Sequence, residues 1–150
     1  MLDNNRLPEA FALAESLLAD ANGAFVEVDA NLYESLRGAV HRRLAALPVE
    51  GLQAYRQRVD PVAENWYRQG VADRDVLLLQ RVIDQSFCSS WGDDALAALG
   101  ELALDHGDAQ GARVAWSRIH ASPSSGAAIA HPDSPLPPAG VHARLALAAL

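Results

Sequence analysis

Between Leu96 and Ile119 the chain reads LAALGELALDHGDAQGARVAWSRI. Apolar residues return at helical spacing through most of this run, yet Gly100, Gly107 and Gly111 interrupt it. A glycine inside a helix costs about 1 kcal/mol against alanine, so three within twelve residues demand geometric reasons. Two helices joined by a tight turn supply most of them. Gly107 suits the position just past a helix end, where φ turns positive without strain, and Asp108 suits the cap of the helix that follows. Gly100 and Ala112 then fall where two helices cross, and their small side chains permit close approach. Gly111 has no role on this reading.

The rest of the chain repeats the theme. Alanine and leucine dominate the sequence and β-branched runs are few. A first helix spans about Leu7 to Ala21, with Leu7, Phe11, Ala14 and Leu18 on one stripe and Pro8 in its first turn. Asn22-Gly23 ends it. Ala24 to Val28 is a short extended piece, too isolated to build a sheet. A second helix runs from an Asn31 cap, supported by Glu34, to Leu47. The third opens at Pro48, carries Leu52, Tyr55 and Val59, and ends at Asp60-Pro61 because the residue before proline disfavours helix. Pro61 restarts a fourth through Trp66 to Gly70, with Asp60 as its cap. A fifth spans about Asp75 to Phe87, a sixth Asp93 to His106, a seventh Asp108 to His120, and a last one starts near Val141. Residues 1–121 therefore form a helical-hairpin domain. Residues 122–140, rich in Pro, Ser and Gly, form a loop or linker, and 141–150 open a further helix that looks truncated, as in part of a longer protein. The fold class is all-α.

The sixth and seventh helices resemble one tetratricopeptide repeat. Leu99-Gly100, the Gly107-Asp108 turn, Ala112 and Trp116 carry the likeness, with Pro123 near the usual end of a repeat. A looser copy precedes it at 37 positions: Gly70 answers Gly107, Ala63 answers Gly100 and Leu79 answers Trp116. The resemblance implies antiparallel hairpins stacked as a short, irregular α-solenoid. A longer likeness rests on Leu47-Pro48 with Gly51-Leu52, Tyr55-Arg56, Arg58-Val59-Asp60-Pro61, Phe87-Cys88-Ser89-Ser90, Gly100-Glu101-Leu102-Ala103 and the later HPDSPLPPAGVHARL. Together these motifs resemble the amino-terminal helical region of planctomycete proteins that carry a pyrroloquinoline-quinone-type β-propeller. The resemblance implies a scaffold domain beside a propeller, usually in an exported or envelope protein. The chain itself contains no propeller strands.

Charge narrows the partners. The net charge of −7 argues against nucleic acid, whose readers carry a basic patch. No apolar run is long enough to insert in a membrane, and the amino terminus lacks the basic and apolar regions of a signal peptide. Cys88, the single cysteine, sits in FCSSWG with no cysteine–histidine signature around it, and reads as a structural residue. His41, His106, His120, His131 and His142 show no metal-ligand spacing; His106 and His120 fall near helix ends, where a donor suits the dipole. Asp93-Asp94 reads as a first-turn pair that caps a helix. Trp66 and Trp116 belong to apolar faces, while Trp91 has no clear assignment.

In a stacked solenoid the first helix of each pair lines a concave surface. That register exposes Gln57, Glu64, Tyr67 and Arg68 from one hairpin and Asp94, Glu101 and Asp105 from the next. The expectation is a non-catalytic protein-interaction or scaffold module, monomeric or weakly dimeric, with no catalytic residue, metal or cofactor. Its alternative is a purely structural spacer or cap packed against a downstream propeller. An enzyme built on Cys88 is a third reading that needs a base the sequence does not place.

Overall fold

A computed structural model describes residues 6–29, 32–120 and 129–149. Among these, seven helices and one two-stranded hairpin follow in the order α1 (Leu7–Asp20), β1 (Phe25–Asp29), β2 (Leu32–Ser35), α2 (Leu36–Ala45), α3 (Val49–Asp73), α4 (Val76–Ser86), α5 (Gly92–Asp105), α6 (Ala109–Ser117) and α7 (Pro138–Leu147). The chain is predominantly helical, as its periodicity dictates.

The first departure from expectation comes early. The extended piece after Gly23 is paired: β1 and β2 form an antiparallel hairpin, with Phe25 opposite Ser35 and Glu27 opposite Tyr33. The second helix therefore starts at Leu36, and the Ser35 hydroxyl accepts the Gly38 N–H at 3.1 Å as its cap. Asn31, the expected cap, lies outside the described residues. Glu34 instead accepts from Arg42 at 2.6 Å.

The second departure is Pro61, which breaks nothing. α3 runs for 25 residues through it. Leu52, Tyr55, Val59, Ala63 and Gly70 are all buried, so one apolar stripe crosses the proline and packing holds the helix continuous. Gln57 and Pro61 lie on the exposed side, where water can satisfy the carbonyl that proline leaves without a donor. Asp60 consequently caps nothing; its carboxylate accepts the Ser90 N–H at 3.0 Å and ties α3 to the turn after α4.

The turn between α3 and α4 also lies later than Gly70. Arg74 adopts the left-handed conformation, φ 53°, and Asp75 caps α4 by accepting from the N–H groups of Leu77 and Leu78 at 2.8 and 3.2 Å. The next hairpin repeats this arrangement: Gly107 has φ 79°, and Asp108 accepts the Gly111 N–H at 2.8 Å. The two cap turns stand 33 positions apart, not 37. Gly70 is buried one turn inside α3, where a Cβ would stand 2.9 Å from the Leu79 side chain. An arginine occupies the place that helix-end rules give to glycine, which is why the turn lies later than expected.

Trp116 explains Gly100. The indole lies flat against the glycine, so that a Cβ there would overlap the ring, and its Nε1–H donates to the Ala97 carbonyl at 3.1 Å. Ala63 and Ala112 are fully buried and Leu99 is half-buried. Gly111 sits against the Asp108 carboxylate that it binds, which is the role the sequence reading lacked. α3 packs on α4, α4 on α5, α5 on α6 and α6 on α7, while α1 reaches α2 and α4. Trp116, Tyr55, Phe87, Leu79, Leu96 and Ile119 form the centre of one core.

Beyond α6, Ala121 and residues 122–128 of the expected linker, Pro123 among them, lie outside the described residues. Ile129 to Pro137 form a strap without regular structure, held against the helices, and α7 begins three residues ahead of Val141. The His131 N–H donates to the Arg118 carbonyl at 2.8 Å.

Candidate functional site

The turn Phe87–Trp91 has a dry side and a wet side. On the dry side Phe87, Cys88 and Ser89 have no exposed surface. Burial pushes the Cys88 thiol up to about 12, so it stays protonated, and its Sγ lies 3.5 Å from the His41 carbonyl oxygen. The Phe87 ring packs between two histidines, His41 tilted at 5.5 Å and His131 edge-on at 5.9 Å, with the Arg118 guanidinium 4.7 Å from its centroid. Burial lowers the Arg118 pKa, partly offset by Asp84.

The strap closes this side through side chains far apart in sequence. Arg56 of α3 donates to both oxygens of Asp133, at 2.8 and 2.5 Å, and its Nε–H donates to the Cys88 carbonyl at 3.0 Å. The guanidinium holds the Asp133 carboxyl below the usual carboxylate range. His131 is buried, with Nε2 3.0 Å from the Ser89 carbonyl. Asp93, expected to cap α5, is 1% exposed and accepts the Ser134 hydroxyl at 2.6 Å. Its place in the first turn still suits the helix dipole, but its carboxylate fastens the strap. His106 meets its own helix end through the Leu102 carbonyl at 2.6 Å, and His120 meets the Leu136 carbonyl at 2.8 Å.

These contacts make the strap a stability element. Arg56→Ala or Asp133→Ala is expected to lower the unfolding free energy by about 1–2 kcal/mol, because charge-assisted bonds to partly buried groups are lost. The His131 amide should then exchange faster with solvent than in the parent. Unchanged exchange at that amide would show that the strap is held by other contacts.

The wet side gathers most of the expected groove residues. Tyr67 of α3 stacks on Trp91, with centroids 5.2 Å apart and planes inclined by 33°. Arg68 lies 5.7 Å from the Trp91 centroid and pairs with Glu64 at 2.6 Å. From α5, Asp94 and Glu101 face Tyr67: partial burial, then Asp94, Glu101 and Asp93, push its phenol up. Burial and Asp93 likewise raise the Asp94 carboxyl, against a smaller lowering by His131. Glu101 accepts from Arg144 of α7 at 2.9 Å. Farther along the same α3–α5 face, Arg74 donates to Asp105 at 2.6 Å. Gln57 is exposed ten residues before Tyr67, about 15 Å away along the helix, and does not join the cluster.

The structure therefore brings Glu64, Tyr67, Arg68, Asp94 and Glu101 together, leaves Gln57 apart, and commits Asp105 to an ion pair at the far end. Trp91 and Arg144 complete the cluster. Trp91 was visible in sequence only as an aromatic residue in a Ser-Ser-Trp-Gly turn, and nothing in the local sequence of Arg144 marks it. Among the described residues no three His, Cys, Asp or Glu side chains converge as metal ligands, and no helix is long and apolar enough to cross a membrane. No family model, curated protein or solved structure matches the chain.

Proposed function

We propose that this chain is a non-catalytic protein-interaction module of a larger protein, a short and irregular tetratricopeptide-like solenoid whose α3–α5 face receives a partner segment. One observation carries the reading. Tyr67 and Trp91 stack on each other on that face while remaining partly open to solvent, and charged groups ring them. Amphipathic aromatic side chains in that setting are the usual anchors of protein interfaces. The two similar cap turns, Arg74-Asp75 and Gly107-Asp108, 33 positions apart, support the solenoid reading, since each joins two consecutive packed helices through a left-handed residue and an aspartate cap.

A second face favours the alternative, a purely structural spacer or cap. Between α4 and α6 runs an apolar groove of about 320 Å³, lined by Ile83, Leu96, Leu99 and Leu102 with Val76 and Val114 exposed at its edges. Such a face suits packing against an adjoining domain, and the propeller suggested by the sequence resemblance is one candidate.

The two readings predict different losses. In a selection from a displayed random-peptide library, the folded chain should retain peptides. Tyr67→Ala and Trp91→Ala should each weaken their binding by about tenfold at an unchanged circular dichroism spectrum. Peptides lost instead with Val114→Asp would move the interaction to the α4–α6 face. A library that yields no binder would leave the spacer or cap as the better account.

A further inference from the structure

We propose that the Tyr67–Trp91 face selects basic protein segments, taking a lysine or arginine side chain between the aromatic pair and Asp94; this rests on the interaction reading above and names the partner's chemistry.

The argument begins with the charge around the rings. Glu64, Asp93, Asp94 and Glu101 stand against two guanidiniums, Arg68 and Arg144. Arg68 is taken by Glu64 and Arg144 by Glu101, while Asp93 is held by the neutral Ser134 hydroxyl. Asp94 has no hydrogen-bond or ion-pair partner among the described residues, although it is partly buried. A partly buried carboxylate with Asp93 as its stronger charged neighbour and only a smaller opposing influence from His131 gains from a cation that can reach it.

The aromatic half of the face points the same way. Ring faces attract cations, and guanidiniums most readily. The molecule already shows this affinity in place: the Arg68 guanidinium lies 5.7 Å from the Trp91 centroid with its charge met by Glu64. The Tyr67 ring beside Asp94 offers the same combination of ring and carboxylate with no cation over it among the described residues, whereas Glu101 is already paired with Arg144. Tyr67 and Asp94 thus reproduce, unfilled, what Trp91 and Glu64 hold filled. The overall charge of −7 adds attraction at longer range. An acidic segment would meet Asp94 and Glu101 as like charges, and a purely apolar one would leave Asp94 desolvated and unpaired.

The test uses two defined probes, acetylated eight-residue peptides of alternating arginine and serine or alternating glutamate and serine. Binding to the whole chain is followed by calorimetry and by the Trp91 indole resonance. The arginine peptide is expected to bind and shift that resonance, and the glutamate peptide to do neither. Asp94→Asn should weaken binding by about fivefold and Trp91→Ala by about tenfold. Glu9→Gln, which removes the same charge from the exposed first turn of α1, should leave it within about twofold. Equal losses from Asp94→Asn and Glu9→Gln would reduce the effect to diffuse attraction and overturn the proposal. So would binding of the glutamate peptide, or of neither peptide. If the random library still yields peptides lost with Trp91→Ala but free of basic residues, the interaction reading stands and the preference for a cation falls alone.

Discussion

Alanine at position 100 is expected to lower the unfolding free energy by about 3 kcal/mol, although the same change in an isolated helix would gain about 1 kcal/mol. The reversal comes from Trp116. Its indole is buried, packed flat on Gly100, and held by the bond from Nε1–H to the Ala97 carbonyl. A new Cβ cannot be met by swinging a flexible side chain away, because the ring is rigid and enclosed. α5 and α6 must part, or the indole must give up its hydrogen bond. Trp116→Ala removes the other half of the contact and is expected to cost about 4 kcal/mol as an unfilled cavity. The informative construction is the pair Gly100→Ala with Trp116→Leu. A smaller side chain opposite the new methyl relieves the overlap. The double variant should therefore be more stable, by about 1–2 kcal/mol, than the summed losses of Gly100→Ala and Trp116→Leu would make it, the parent and these three variants forming the cycle. Urea unfolding of the four proteins measures this directly. A neutral Gly100→Ala would mean that helix propensity, not helix contact, governs the position.

The same contact shows which parts of the molecule were legible in the sequence. Gly100 and Gly107-Asp108 could be read because each needs only local chemistry: a small residue on an apolar face, and a left-handed residue followed by a cap. Arg74-Asp75 performs the second task with an arginine at φ 53°, so the rule that looks for glycine placed the turn too early, at Gly70. Pro61 misled for the converse reason. Its local penalty is real, but the buried stripe from Leu52 to Gly70 outweighs it. The mistaken interval did not change which side chains meet, because Glu64, Tyr67 and Arg68 share a face of their own helix and Asp94 and Glu101 a face of theirs. The strap left no such trace. Arg56 and Asp133 are 77 positions apart, His131 and Ser89 are 42 apart, and no periodicity links residues joined only by tertiary folding.

Acid should weaken the fold through a histidine that the groove does not involve. His41 is 3% exposed between α2 and α4, packed on Phe87, with Nε2 3.1 Å from the Asp84 carbonyl and Nδ1 without a partner. Nε2 therefore carries the proton of a neutral ring. Desolvation lowers its pKa to about 4; the bond to Asp84 and the Asp84 carboxylate act in the opposite direction, and the charges of Arg118 and Arg37 reinforce the lowering. The unfolded chain takes up this proton near the ordinary value of 6.5. Between those two values the unfolded state binds more protons than the folded one, so stability is full above pH 6.5 and falls as the pH drops toward 4. The loss attributable to this one group is about 3 kcal/mol. Asp133, held low by Arg56, loses its contribution as the medium becomes more acid still, whereas the raised Asp94 carboxyl gains; the measurement must therefore be a difference. His41→Gln removes the titrating ring. The variant should be less stable than the parent at pH 7, and the gap should narrow by most of that 3 kcal/mol at pH 4.5. Urea midpoints at pH 7, 5.5 and 4.5 give the two slopes. Parallel slopes would show that His41 is already as easily protonated in the folded protein as in the unfolded chain, and that the aromatic packing around Phe87 leaves it open to water.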